Sequence, residues 1–225
     1  MDSVAQSLKG AQDKAEALFA EVVSSGLIRP GKTESELTQD IHDLAQERYG
    51  LKRHWHKRVV RTGTNTLLTY HDPTEDLRIA EDDTVYLDFG PVFGEWEADF
   101  GRTYALGKDP DKHRLVRDIG EAFRQGKEHF QRTPNLTAGE LYDYVVGLAP
   151  KKGWHFPAST AGHLIGKFPH ERLPDLKKRF SIRHGNDVSL REPDETGAVR
   201  HWILEIHFVD LKRRFGGFLE ELLTV

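Results

Sequence analysis

Two β-forming segments, Val85-Tyr86-Leu87-Asp88-Phe89-Gly90 and Glu97-Ala98-Asp99-Phe100-Gly101-Arg102-Thr103, constrain this chain more than any other feature. The first alternates like a half-buried strand, and the second reads as its antiparallel partner. A hairpin turning at Phe93-Gly94 sets Asp88 directly opposite Asp99, with Cβ atoms about 4.5–5.5 Å apart. Opposed like charges on a mostly apolar ribbon are destabilising, and a buried carboxylate without a partner is costly. A divalent cation held between the two is the economical explanation. The alternative is a turn-flanking carboxylate pair at the solvent edge.

Composition narrows what such a cation site can be. The 225 residues contain no cysteine, so disulfides, zinc-thiolate sites and a cysteine nucleophile are excluded. Any metal must be held by His, Asp and Glu. A net charge of −4 with no basic, aromatic-interleaved run gives no reason to expect nucleic acid. No segment is apolar enough to read as a signal peptide or a membrane span, so a cytoplasmic location is the default expectation.

The order of elements repeats. Val4, Leu8, Ala11, Ala15, Leu18, Phe19 and Val22 recur at helical spacing before Gly26. Thr33-Glu34-Ser35-Glu36 is a capping box opening a second helix that ends at Gly50. Strands are expected from about residue 58 to about 106. Asp109-Pro110 then opens a third helix, Thr137-Ala138-Gly139-Glu140 caps a fourth that stops at Gly153, and strands follow to Val225. Helix-helix-strands thus occurs twice, predicting one pseudo-symmetric α+β domain over 1–225 with halves of about 1–107 and 108–225. The hydrophilic stretch 172–200 reads as an extended surface excursion over the site.

Three further segments carry candidate ligands. Gly162-His163-Leu164-Ile165-Gly166 places a histidine between glycines, which permit a close approach to a bound group, seven residues before His170-Glu171. Trp202-Ile203-Leu204-Glu205-Ile206-His207-Phe208 is an apolar strand with one central glutamate, whose only alternative partner is a buried cation such as Arg102. Glu220 lies near the chain end beside Glu221. Its odd separation from Glu205 lets the two face each other across a hairpin, while Glu221 points away. Asp88, Asp99, His163, Glu205 and Glu220 form an oxygen-dominated set suited to Mn²⁺, Co²⁺ or Fe²⁺ rather than tetrahedral Zn²⁺. Four carboxylates call for about two divalent cations, which together lower the pKa of a shared water and polarise a carbonyl. His207, on the same strand face as Glu205, is a candidate supporting residue. His54 and His56 share a strand face and read as surface or substrate-rim residues.

Asp-Phe-Gly followed by Asp-Phe-Gly-Arg-Thr, with Gly-His-x-Ile-Gly and His170-Glu171, resembles the signature of the pita-bread metallopeptidases. That family includes methionine aminopeptidase, aminopeptidase P, prolidase and creatinase, and the resemblance runs from about residue 4 to the end, as to a catalytic domain alone. It implies a curved antiparallel sheet and a dinuclear centre of Asp88, Asp99, His163, Glu205 and Glu220, with Asp99 and Glu220 bridging. It further implies Glu205 as general base, and His170 and His71 as catalytic and substrate-contacting residues. The implied activity is exopeptidase hydrolysis of small peptides, leaning to the Xaa-Pro type, with two Mn²⁺ or Co²⁺ ions (Fe²⁺ or Zn²⁺ also fitting) and a homodimer as a permitted assembly. Methionine aminopeptidase, an inactive peptide-binding module and creatinase-like C–N hydrolysis are the alternatives. This chain departs from the family pattern in carrying Glu205-Ile206 where Glu-Pro is usual, and in its spacings from His163 to Glu205 and from Glu205 to Glu220.

Overall fold

The computed structural model describes residues 3–169 and 179–225. Its helices begin where side chains satisfy the exposed backbone donors of a first turn. Helix α1 spans Ser3–Ser24 and α2 Glu34–Tyr49. At α2 the Thr33 hydroxyl accepts from the Glu36 N–H, the Glu36 carboxylate accepts from the Thr33 N–H, and Gly50 closes the helix in the left-handed conformation. Helix α3, Pro110–Arg132, starts with Asp109 as N-cap and proline in its first turn. A second capping box, Thr137 with Glu140, opens α4, Ala138–Val146, which stops at Gly147 rather than Gly153; the short α5, Leu148–Lys151, follows.

The strands are β1 Val59–Thr62, β2 Thr84–Phe89, β3 Val92–Phe93, β4 Trp96–Glu97, β5 Phe100–Ala105, β6 Leu164–Ile165, β7 His201–Asp210 and β8 Phe215–Leu222. A 3₁₀ turn, Gly63–Leu67, follows β1. Six strands form one curved antiparallel sheet in the order β1-β2-β5-β8-β7-β6, so each half contributes three, and β5 meets β8 at the centre. This is the pita-bread architecture that the family resemblance implies. Strands are sparser in the second half than expected, because 154–163 and 179–200 run largely as loops.

Period-two alternation gives the sheet two chemically different faces. Val85, Leu87, Phe89 and Phe100 pack under α1 and α2, and Trp202, Leu204, Ile206 and Phe208 pack under α3 and α4. The intervening residues, Asp88, Gly101, Thr103, Glu205 and Glu220, therefore point to the opposite face. The N-terminal end of α1 reaches the second half, where Leu8 joins Ile203 and Leu222.

The hairpin differs from the expected register by two residues. Val92 pairs with Glu97 and Phe93 with Trp96, so the turn is Gly94-Glu95, with Gly94 at φ +67°. Asp88 consequently pairs with Gly101, and Asp99 falls just before β5. A shift of two preserves side-chain direction, so Asp88 and Asp99 remain on one face but sit diagonally.

Two glycines set close approaches. A Cβ on Gly101 would lie 2.7 Å from the Phe218 ring, so its absence lets β5 close on β8. There Thr103 substitutes for ladder bonds: its hydroxyl donates to the Phe218 carbonyl at 2.7 Å and accepts from the Phe218 N–H at 2.6 Å. At Gly162 (φ +135°) a Cβ would lie 2.1 Å from the Ile203 carbonyl oxygen. The close approach expected there is thus to the backbone of β7 rather than to a bound group.

Of the expected surface excursion, 172–178 lie outside the described residues and 191–200 are exposed or half-buried, but 179–190 pack into the fold. Phe180, Ile182, Val188 and Leu190 are buried in the second core, and Ile182 exchanges backbone hydrogen bonds of 2.7 Å with Ala161 and Gly162. Asn186 is buried as well, its amide donating to the carbonyls of Arg179 and Ser181. Four apolar residues and one satisfied amide are enough to dock a hydrophilic segment. Among the described residues, no helix is long and apolar enough to cross a membrane.

Gly162→Ala is expected to destabilise the protein by about 2–4 kcal/mol, combining strained backbone with an overlap on β7. Gly120→Ala, in α3 with no neighbour within 4 Å of the new methyl, is expected to stabilise it by about 0.5–1 kcal/mol. Urea unfolding of both variants checks the contrast.

Candidate metal centre

The sheet centre gathers charge from both halves. Asp88 ends β2, Asp99 precedes β5, and Glu205 and Glu220 stand directly opposite one another on β7 and β8. His163 follows Gly162, and its backbone carbonyl accepts from the N–H of Ile203 on β7. Its Nε2 lies 3.1 Å from Asp99 Oδ2 and 3.7 Å from both Glu205 Oε1 and Glu220 Oε1. The structure therefore brings together Asp88, Asp99, His163, Glu205 and Glu220. Asp88, Asp99 and Glu220 are only 7%, 3% and 3% exposed. Glu205 and His163 are more open and face the accessible side.

Glu221 turns to the other side of β8, where its carboxylate pairs with Arg102, whose guanidinium also lies 3.9 Å over the Phe100 ring. Arg102 is thus committed to Glu221 and is not the partner of Glu205.

His56 belongs to this cluster, contrary to the expectation of a surface or rim residue. Its Nε2 is 3.1 Å from Asp99 Oδ1 and 3.6 Å from Asp88 Oδ1, and its side chain is 7% exposed. The strand-like alternation assumed for His54-Trp55-His56 is broken by a bend at Trp55-His56. His54 turns instead toward Phe89 and His42, where burial, and then the Arg58 charge, push it down to about 3. A sequence signal for His56 exists in Gly90, since a Cβ there would come within 2.1 Å of the His56 ring.

The remaining candidates lie elsewhere. His71 is exposed, its ring 5.1 Å from that of Tyr70, which in turn lies 5.8 Å from His56. It sits at the rim and not among the carboxylates. His207 is buried away from solvent, its Nε2 bonded to the Thr66 carbonyl at 2.9 Å, and burial lowers it to about 4. His170 lies outside the described residues.

Electrostatics set the protonation of the cluster. Burial raises Asp88 to about 7, with the His56 charge opposing and the Asp99 charge reinforcing the rise. Burial also lifts Glu205 and Glu220. At Asp99 burial is outweighed by His56 and by hydrogen bonds from both imidazoles, which hold it down at about 2. Burial disfavours charge on His56 and His163, yet Asp99 and its neighbours raise both, His56 to about 9. Asp88 Oδ1 is buried with no hydrogen-bond partner. Four carboxylates, an orphaned acceptor and clusters whose donor atoms lie within 4.8 Å of one another fit divalent cations.

Cation binding at such a centre must displace protons from Asp88, the raised glutamates and the imidazoles. Affinity for Mn²⁺ is therefore expected to rise between pH 6 and pH 8, with protons released on binding. Isothermal titration in two buffers of different ionisation enthalpy measures both; an affinity independent of pH would contradict the assignment.

Known proteins resemble this chain in both sequence and fold. Over 179 residues the chain is 29% identical to an Xaa-Pro dipeptidase of Lactobacillus helveticus, covering 79% of this chain and 46% of the relative. Over 159 residues it is 32% identical to a putative Xaa-Pro aminopeptidase of Mycoplasma pneumoniae, covering 68% and 43% respectively. The chain thus spans less than half the length of these relatives. The X-Pro aminopeptidase structure from Thermotoga maritima superposes with a TM-score of 0.76 at 20% identity, covering all of this chain and 62% of that one. Methionine aminopeptidase from the same organism gives 0.74 at 18% identity, covering 100% and 97%. The model of metallopeptidase family M24 matches residues 6–217, and the chain belongs to that family.

Proposed function

We propose that this chain is a dinuclear-metal exopeptidase that hydrolyses the first peptide bond of short peptides, of the Xaa-Pro type. The observation that carries the reading is the convergence of Asp88, Asp99, His163, Glu205 and Glu220 on one face of the sheet, with Asp99 directing one oxygen to each side. The Xaa-Pro lean rests on the names of the relatives that match two thirds or more of the chain.

Asp88, Asp99 and Glu220 would hold one ion, and Asp99, His163, Glu205 and Glu220 the other. When bound, Mn²⁺ or Co²⁺ ions would supply Lewis acidity toward the scissile carbonyl and lower the pKa of water. The protein's own part is positional and acid–base. Glu205 is more exposed than Asp99 or Glu220, and its raised pKa suits a general base. It takes a proton from the attacking water and returns it to the departing amine. His163 donates its Nδ1–H to the Leu164 carbonyl, which fixes the direction of Nε2. By family likeness His71, exposed beside Tyr70, is assigned a substrate contact outside the charged cluster, and His170 is assigned to the tetrahedral intermediate.

Methionine aminopeptidase activity is the second reading, since the Thermotoga maritima enzyme shares the fold at a TM-score of 0.74. A panel of Xaa-Pro dipeptides, longer Xaa-Pro-led peptides and Met-led peptides, assayed with Mn²⁺- and Co²⁺-loaded protein, separates them. Cleavage of Met-led peptides alone would overturn the Xaa-Pro assignment. Glu205→Gln is expected to lower kcat by about 10²–10⁴-fold, while Asp99→Ala abolishes activity and lowers bound metal. A fully active Asp99→Ala protein would refute its bridging role.

A further inference from the structure

We infer that His56 is a sixth protein ligand of the centre, donating Nε2 to the cation held by Asp88 and Asp99, so that each of the two ions carries one imidazole. The inference rests on the dinuclear reading above and adds a residue to it.

The two imidazoles are held in the same way. His56 Nδ1 lies 2.6 Å from the Lys57 carbonyl, and His163 Nδ1 lies 2.7 Å from the Leu164 carbonyl, in each case the carbonyl of the next residue. A carbonyl only accepts, so Nδ1 carries the proton in both rings, and in the neutral ring Nε2 presents a lone pair. A histidine that ligates a metal is commonly oriented by this bond. Both Nε2 atoms then face the same carboxylate from opposite sides: Asp99 Oδ1 is 3.1 Å from His56, and Asp99 Oδ2 is 3.1 Å from His163. His56, Asp88 and Asp99 offer donor atoms that all lie within 4.8 Å of one another, as do Asp99, His163 and Glu220. That span is close to the width of a coordination sphere with bonds of about 2.0–2.2 Å.

Two features indicate that His56 is placed there by the fold. Asp88 Oδ1, on a residue 93% buried, has no hydrogen-bond partner, and the His56 Nε2 stands 3.6 Å away. That distance is too long for a hydrogen bond and leaves room for a cation contacting both. Gly90 makes the approach possible, since a Cβ would fall 2.1 Å from His56 Cδ2 and 2.4 Å from Nε2. A nitrogen donor on each ion shifts the set from hard toward borderline cations, favouring Co²⁺ or Fe²⁺ over Mn²⁺ relative to a site with carboxylates alone.

The test is proton NMR of the Co²⁺-loaded full chain, together with Co²⁺ titration by calorimetry. Each imidazole bound through Nε2 gives one hyperfine-shifted, solvent-exchangeable Nδ1–H resonance. Two such signals are expected in the wild-type protein at two Co²⁺ per chain, and one in His56→Gln, whose Co²⁺ affinity at the Asp88–Asp99 site falls at least ~10-fold and whose preference moves toward Mn²⁺. Gly90→Ala, which displaces His56 without removing a donor, is expected to lose the same signal. Two bound Co²⁺ with one signal in the wild type would overturn the role of His56 and leave the dinuclear reading standing. One bound Co²⁺ with the His163 signal alone would overturn it too, making His56 an imidazolium that stands in for a cation. Absence of Co²⁺ binding would remove both readings. The count on the wild-type protein decides even where a variant fails to fold.

Discussion

Mutual repulsion among four carboxylates on one face of a sheet, three of them buried, is the constraint around which this molecule is arranged. Water is largely excluded from Asp88, Asp99 and Glu220, so their charges are poorly screened, and each must be neutralised or matched. The protein offers two imidazoles and uses them symmetrically on Asp99. That carboxylate stays ionised because it alone receives hydrogen bonds from both rings. The other three are driven toward the protonated form. A centre in this condition stores an unmet demand for positive charge, which is the physical content of the family assignment.

The sheet makes such a concentration tolerable by segregating it. Along β2, β7 and β8 the residues that alternate with the acids are Leu87, Phe89, Leu204, Ile206 and Leu219, all packed toward the helices. The apolar face therefore supplies the stability that holds the polar face in place. At the central seam the strands approach through Gly101, and Thr103 completes the hydrogen bonding that a longer ladder would otherwise provide. The Asp-Phe-Gly-Arg-Thr run thus encodes a ligand position, an apolar anchor, a close approach, a guanidinium for Glu221 and a strand clamp in five successive residues.

Local rules were legible in the sequence wherever the signal was local. Both capping boxes form as read, because a threonine and a glutamate three residues on need no tertiary help. The facing of Glu205 and Glu220 follows from parity across one hairpin. The hairpin register departs from the expected one because Gly94-Glu95, and not Phe93-Gly94, takes the turn. The aspartates stay on one face all the same, because a two-residue shift preserves side-chain direction. His56 was not legible from alternation, since the bend at Trp55-His56 abolishes the period on which that reasoning depends. The packing of 179–190 was hidden for a different reason: its few apolar residues are spaced by a loop path rather than by a helix or strand period.

The donors grouped around Asp99 span positions 56 to 220, and each half of the sheet supplies part of the set. The cluster of His56, Asp88 and Asp99 lies within residues 56–99, whereas that of Asp99, His163 and Glu220 joins both halves of the chain. Contacts this distant in sequence incur the largest loop-closure entropy and form late in folding. Affinity at that second cluster is therefore a property only of the assembled sheet, and an ion bound there would act as a rivet between its leaves, slowing their separation once both have docked.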